Sequence, residues 1–175
     1  VLLRNWLTEE GADRVDVDYQ VIHRVARVRV WLTRGGGRKS IRLPREVKFA
    51  IYDIRPSQVD PCRGAWLYSH FWMEATDGVL HQECDWMREP VIDDDEPVMD
   101  GDAALELDYY PRDPQWIPEW MATKAAAHQK VGEARERRRQ RDRERRAKKK
   151  AEAAQAQGNG DDEPSSGRVG RSDIE

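Results

Sequence analysis

The sequence predicts an α+β domain in which an antiparallel β-sheet carries helices packed on one face, followed by a long charged C-terminal helix and a disordered tail. Apolar residues alternate with polar ones between Val15 and Leu32, which is the period of half-buried strands. Short turn signals join the successive strand patterns, and such connections favour antiparallel pairing. No Trp, Tyr, Phe or Leu follows Met121, so the hydrophobic core must be built before that residue.

The chain of 175 residues divides by composition into three parts. We predict a folded domain over residues 1–121, a basic helical tail over 122–157 and a disordered acidic tail over 158–175. The formal net charge of −3 hides a sharp split. Residues 85–120 hold 12 acids and two bases, whereas residues 130–150 hold 12 bases and four acids. Each part therefore favours its own kind of partner.

The first predicted elements are a short helix and two strands. The helix covers residues 1–10, with an apolar side made of Leu2, Leu3, Trp6 and Leu7. The alternating apolar residues then change phase near His23, which indicates a turn between two strands. They are Val15, Val17, Tyr19 and Val21 before the turn, and Ala26, Val28, Val30 and Leu32 after it.

The middle of the chain predicts a turn, a third strand and a helix. Gly35–Gly37 form a hairpin turn rather than a phosphate-binding loop, because a strand pattern and not a helix follows them. The next helix begins at Pro44, a residue common in the first helical turn. It ends at Arg55, because the residue before a proline leaves the helical region.

Residues 65–86 predict a second hairpin, turning at Asp77-Gly78. Its strands cover residues 65–76 and 79–86. Bulky residues occupy both sides of the first of these strands. We assign Leu67, Phe71 and Met73 to one face, and Trp66, Tyr68 and Trp72 to the other.

The folded part closes with the segment Leu105–Met121, whose sequence is LELDYYPRDPQWIPEWM. An acidic loop over 89–102 leads into it, and a short helix is predicted over 103–110. Its prolines prevent one continuous helix, and its aromatic residues distinguish it from a disordered linker. The segment therefore either caps the core or presents a binding surface. The following residues 122–157 predict a solvated helix or a disordered basic segment, because they contain helix formers but no heptad seam.

Four pieces of the sequence carry a family resemblance. They are LPREVKFAIYDIR (residues 43–55), GAWLYSHFWMEATDG (64–78), CDWMREP (84–90) and LELDYYPRDPQWIPEWM (105–121). In this order they resemble the YezG-like immunity proteins of bacterial toxin–immunity systems. The last piece is the most specific, because Tyr110-Pro111-Arg112-Asp113 and Ile117-Pro118-Glu119-Trp120 keep the order and spacing of that family.

The resemblance covers about residues 15–121 and implies a protein without catalytic activity that binds and neutralises a cognate toxin, often a nuclease. Three departures concern the edges of the pattern. Pro56 cuts the helix from Pro44 short, the N-terminal helix looks truncated, and the basic tail lies outside the family pattern.

Acidic and aromatic side chains form the predicted toxin-binding surface. They are Asp93, Asp94, Asp95, Glu96, Asp100, Asp102, Trp116 and Trp120. A nuclease carries a basic cleft, so complementary acids would speed association and select that partner. Tryptophans are frequent anchors at binding hot spots. Two plainer interpretations remain: the acids form a solvated loop, and the tryptophans cover the core.

The basic tail supports an alternative function, that of an accessory protein associated with nucleic acid. Its candidate phosphate contacts are Arg137, Arg138, Arg141, Arg145, Lys148 and Lys149. No aromatic residue is interleaved there for base stacking. A solvated helix stabilised by its own ion pairs, or a tail that shields the acidic domain, also fits the pattern.

Other chemistry has little support in the sequence, which shows no catalytic triad. His70, His81 and Cys84 could approach one another across the second hairpin, but their spacing matches no metal-ligand pattern. We expect no enzymatic activity, metal or cofactor. No apolar run is long enough to span a membrane. Because Cys62 and Cys84 form no CxxC pair, we expect a reduced cytoplasmic protein.

Overall fold

The computed structural model describes residues 1–94 and 97–158, with side chains up to residue 154. The predicted disordered tail therefore lies outside the described residues, apart from Gly158. Contacts divide the chain into two compact units, Val1–Lys130 and a second unit from Val131 onward. The predicted domain boundary at Met121 lies within a helix that continues into the second unit.

Helices and strands follow one another along the chain nearly in the predicted order. They are α1 (Leu2–Glu9), β1 (Arg14–Ile22), β2 (Val25–Arg34), β3 (Gly37–Ile41), α2 (Arg45–Tyr52), α3 (Ile54–Ser57), β4 (Tyr68–Glu74), β5 (His81–Asp85), α4 (Asp100–Tyr109), a 3-10 turn (Pro114–Trp116) and α5 (Glu119–Gly158).

The five strands form one sheet in the order β3-β2-β1-β4-β5, and every neighbouring pair is antiparallel. This confirms the predicted α+β class with an antiparallel sheet. Two hairpins form one half of the sheet and the β4–β5 hairpin forms the other. The central pairing of β1 with β4 joins the halves, so β1 is covered on both edges.

Two-residue turns set the register of the first two hairpins. His23 and Arg24 connect β1 to β2, and His23 has a φ of 49°. This turn explains the change of phase in the apolar pattern. Gly35 and Gly36 connect β2 to β3, both with positive φ, which glycine adopts without steric cost. The prediction of a hairpin turn at Gly35–Gly37 is confirmed.

One large hydrophobic cluster lies between the sheet and the helices α1 and α2. From the strands it takes the side chains of Val15, Val17, Tyr19, Val21, Val30, Leu32, Phe71 and Met73. The helices contribute Leu3, Trp6, Leu7, Val47 and Ile51. Leu2 was predicted on the same side of α1, but its side chain is exposed.

A second cluster lies at one end of the sheet, where α4 and the first turns of α5 pack. It consists of Ile22, Leu67, Val98, Ala103 and Met121. Leu67 therefore does not share a cluster with Phe71, and Trp66 does: its ring lies 6.0 Å from that of Phe71. The predicted face assignment was wrong for these two residues because the regular strand begins only at Tyr68.

Helix boundaries differ from the predictions at two places. The helix predicted from Pro44 ends at Tyr52, and α3 forms a separate turn that includes Pro56. Proline is tolerated there because the first turn of a helix has no internal partner for its N–H. The helix α4 begins at Asp100, three residues before the predicted start. The basic tail is helical up to Gly158, which decides between the two interpretations of residues 122–157.

Candidate functional site

A buried ionic cluster connects α4 to the segment Tyr110–Asp113. Glu106 is fully buried and accepts a hydrogen bond of 2.6 Å from Nη2 of Arg55. Nη2 of Arg112 lies 3.5 Å from the same Oε1 atom. The other carboxylate oxygen accepts the backbone N–H of His23 at 2.6 Å. One acid thus holds two cations and the turn between β1 and β2.

Both arginines also bind backbone carbonyls. Arg55 donates to the carbonyl of Trp66 at 2.8 Å. Arg112 donates to the carbonyls of Ala65 and Trp86, at 2.6 and 2.7 Å. Burial lowers the pKa of the Arg112 guanidinium, although Glu106 opposes the shift. These bonds compensate the desolvation of the charges and tie four segments of the chain together.

Gly64 lies against this cluster in a conformation that requires glycine. Its φ is +70°, and a Cβ atom would lie 2.8 Å from the carbonyl oxygen of Tyr110 and 2.9 Å from Cγ of Arg112. The Gly-Ala-Trp piece and the Tyr-Pro-Arg-Asp piece of the sequence therefore meet in space. The part of Leu105–Met121 that includes Glu106 and Arg112 caps the core.

Trp116 lies beside this cap. The Arg63 guanidinium lies 5.5 Å from its ring and 4.1 Å from that of Trp86, so the cation contacts both indoles. Trp116 is half-buried and is absent from the residues that line the acidic clefts described next. Its position favours packing at the edge of the fold over partner binding.

Trp120 lines an open cleft of about 570 Å³ together with acidic side chains. The remaining lining residues are Asp100, Glu119, Thr123, Lys124 and Ala127. The indole N–H of Trp120 donates to the carbonyl of Met87 at 2.8 Å, and the ring packs partly on the second hydrophobic cluster. One side of the indole is thereby fixed, while the half-buried ring still borders the cleft.

An adjoining cleft contains two further predicted site residues, Asp93 and Asp94. Lys124 links the clefts, because its Nζ atom donates to the carbonyl of Val98 at 2.8 Å and lies 3.5 Å from Glu89. The structure thus brings Asp93, Asp94, Asp100 and Trp120 to neighbouring surfaces. Asp95 and Glu96 lie outside the described residues.

Two of the predicted acids are engaged within the protein. Asp94 accepts two hydrogen bonds of 2.6 Å from Arg27, which lower the pKa of its carboxyl group. Asp102 lies 3.9 Å from Nδ1 of His23 and is only partly exposed. Asp100 is exposed and forms no ion pair with any residue that the structure describes. The acids that remain available beside Trp120 are therefore Asp100 and Glu119.

The chain matches no protein-family model, no curated protein and no solved structure. The resemblance to YezG-like immunity proteins therefore stays a prediction.

The histidines of the second hairpin form contacts with carboxylates and a ring, not a joint site. His70 contacts Asp16 at 3.1 Å, and His81 contacts Asp77 at 3.1 Å while stacking on Trp72. Cys84 contacts Ser69 and Gln82 and packs against the large hydrophobic cluster. Within residues 1–94 and 97–158, no group of three or more His, Cys, Asp or Glu is arranged to hold a metal ion.

The six predicted nucleic-acid contacts share one side of α5. At 100° per residue, Arg137, Arg138, Arg141, Arg145, Lys148 and Lys149 fall within an arc of about 120°. Glu133 and Glu144 border this arc, and Arg137 forms an ion pair with Glu133 at 3.5 Å. The side chains of this pair are more than half exposed, so the contact is weak. None of the described helices has the length and apolar character needed to cross a bilayer.

Two groups of residues escaped the sequence reasoning. No role was predicted for Arg55 and Glu106 from the sequence. An arginine and a glutamate that each stand among apolar and aromatic residues indicate a buried ion pair. The basic stretch over residues 24–48 was also missed as a surface, although it holds nine bases and one acid.

Proposed function

We propose that the protein is an immunity protein that binds a basic toxin through the cleft around Trp120. The observation that carries this proposal is the half-buried indole bordered by the carboxyl groups of Asp100 and Glu119. A fixed aromatic side chain contributes contact area at little entropic cost, which is typical of binding anchors. The flanking acids would speed association with a basic surface and discriminate against acidic partners.

The sequence suggests the class of partner for this proposal. The YezG-like resemblance favours a cognate toxin, and a nuclease is a suitable one because its substrate-binding cleft must be basic. Neutralisation then follows from occupying that cleft, without chemistry by the immunity protein. We place this interaction in the bacterial cytoplasm, where the two cysteines would stay reduced.

Co-purification of the full chain with the product of the neighbouring gene tests the proposal. We expect a stable complex that is weakened at least about tenfold by the double variant Asp100→Lys, Glu119→Lys. The matched control is Asp108→Lys, which reverses an exposed charge on α4 outside the cleft. Equal weakening by the control, or a neighbouring product without toxin activity, would contradict the proposal.

The basic residues of α5 support a second function, nonspecific binding of nucleic acid. Six cations within an arc of about 120° can contact phosphates along one groove. Binding of the full chain to random-sequence DNA is measured across a salt series and compared with a chain ending at Lys130. A steep salt dependence that disappears in the shorter chain is the expected result. Absence of binding at low salt would refute this function.

A further inference from the structure

The strand β2 has an unpaired edge within the basic stretch of residues 24–48. The strand β3 pairs with β2 only from Val30 to Arg34, because β3 ends at Ile41 and the chain then turns toward α2. No strand in the described part of the chain pairs with residues 25–29 on that side of β2.

The register shows which backbone groups face this edge. Ile22 pairs with Val25 across one two-residue turn, and the pair that closes such a turn exchanges both hydrogen bonds. Odd-numbered residues of β2 therefore bond to β1, and even-numbered residues face away from it. The Arg34–Gly37 pair across the second turn gives the same assignment. The N–H and C=O groups of Ala26 and Val28 consequently face the unpaired edge.

A groove of about 330 Å³ lies beside these groups. Six of its eight lining residues are apolar or aromatic, namely Ala26, Val28, Val30, Ile41, Leu43 and Tyr52, and the other two are Arg42 and Lys48. Lys48 Nζ lies 5.3 Å from the Tyr52 ring, which places a cation above an aromatic wall. The groove therefore combines free main-chain groups, apolar side chains and two basic side chains.

We propose that this groove binds an extended acidic peptide of a partner protein, which adds a strand to β2. An added strand would bond to Ala26 and Val28, and its alternate side chains would enter the groove. Carboxylates among these groove-facing side chains would meet Arg42 and Lys48, which line the groove and form no ion pair within the described residues. In the same basic stretch, Arg27, Arg29 and Arg34 already contact carboxylates.

Two other occupants fit the groove less well. A second copy of the chain would bring an identical basic stretch against the first, and like charges oppose such pairing. Proteins that bind single-stranded nucleic acid stack its bases on exposed aromatic side chains. Of the residues that line the groove, Tyr52 is the one aromatic, and Lys48 lies over its ring.

The experiment uses the full chain and a capped decapeptide in which every second residue is alternately valine and aspartate, with threonine between them, so that one face of the strand carries both. Amide hydrogen exchange is measured by NMR with and without the peptide. We expect slower exchange at Ala26 and Val28, whereas Arg27 and Arg29 should not change because their N–H groups already bond to β1. A peptide with lysine in place of aspartate, and one N-methylated along its bonding edge, should each bind at least about tenfold more weakly.

Charge variants locate the binding site. Lys48→Glu should weaken binding of the aspartate peptide about tenfold, whereas Lys39→Glu, the same change on the exposed strand β3 outside the groove, should have less than about half that effect. Unchanged exchange at Ala26 and Val28 under saturating peptide would overturn the proposal. So would protection that depends on protein concentration alone, or preferential binding of a single-stranded oligonucleotide to the same residues.

Discussion

At the scale of single residues, the buried acid Glu106 and its two arginine partners show why the first part of the Leu105–Met121 segment, up to Asp113, is structural. The carboxylate accepts hydrogen bonds from Arg55 and from the backbone of His23, which are 51 and 83 positions away along the chain. Two arginines and one glutamate leave a net positive charge in the interior, and backbone carbonyls solvate it. Such an arrangement depends on every member, because removing one leaves a buried charge without compensation.

Glu106→Gln should destabilise the fold by about 3–5 kcal/mol, since it removes the counter-charge of Arg55 and Arg112. The free energy of unfolding from urea titration measures this loss. Asp108→Asn is the matched control on the same helix, and its exposed side chain predicts a change below about 0.5 kcal/mol. A similar effect of both variants would contradict the role of the ionic cluster.

Gly64→Ala should cost more than Gly35→Ala, although both glycines have positive φ. A Cβ atom at Gly35 meets no atom within 4 Å, so that variant carries only the conformational cost of about 1 kcal/mol. At Gly64 the Cβ atom also collides with backbone and with Arg112, and we expect at least about 2 kcal/mol more. Thermal and urea unfolding of the two variants would test the difference, and equal losses would contradict it.

The stability of the sheet should depend on pH through Asp16. Burial alone would raise the pKa of this carboxyl group, but hydrogen bonds from Arg14 and His70 outweigh it, and the pKa lies below the ordinary 3.8. The ionised form is therefore favoured by folding. Its contribution is fully present above the unfolded pKa and is lost as the pH falls through the folded pKa.

The gap in unfolding free energy between the wild-type protein and Asp16→Asn should consequently stay constant from pH 6 to about pH 5 and shrink below about pH 4. Urea unfolding at a series of pH values measures it. The corresponding gap for Asp108→Asn should remain flat. A gap for Asp16→Asn that is as large at pH 3 as at pH 6 would show that the carboxylate is not stabilised by folding.

At the scale of secondary-structure elements, periodicity predicted most of the sheet and failed where packing departs from it. The alternation in β1 and β2, the phase change at His23 and the glycine turn all follow from local rules that short sequences obey. Trp66 and Leu67 lie just before a regular strand, where the backbone bends and alternation no longer assigns faces. The acids of the clefts could be predicted from composition. The ion pair of Asp94 with Arg27 could not, because the two residues are 67 positions apart in the sequence and meet only in the folded chain.

The helix α5 belongs to the folded unit over its first three turns, which sets where the chain can be shortened. Met121 is fully buried, and Lys124 holds the carbonyl of Val98. A chain ending at Lys130 should therefore unfold at the same urea concentration as the full chain, within error. A chain ending at Met121 should be less stable by about 1–3 kcal/mol, because it loses that bond and the helical turn around Trp120. Equal stability of the two shortened chains would refute this.

At the scale of the whole molecule, a formal net charge of −3 conceals surfaces of opposite sign. Acids gather around the Trp120 cleft, and bases gather on the β2–β3 hairpin and on α5. Association with a partner should then depend on ionic strength in a way that the isoelectric point does not reveal. Composition alone predicted the acidic region and the basic helix α5. The basic region on the β2–β3 hairpin became apparent only from the strand pairing, which places its bases beside an open edge.

The ionic cluster also bears on the order in which the chain folds during synthesis. Arg112, its last member in the sequence, is synthesised long after the β1–β2 hairpin. It contacts Glu106, which in turn binds the backbone N–H of His23 in the turn of that hairpin. The edge of β1 that β4 covers stays exposed until residues 68–74 have emerged. We expect folding to be completed only after residue 112 has emerged, and to be slowed by the closure of such distant contacts.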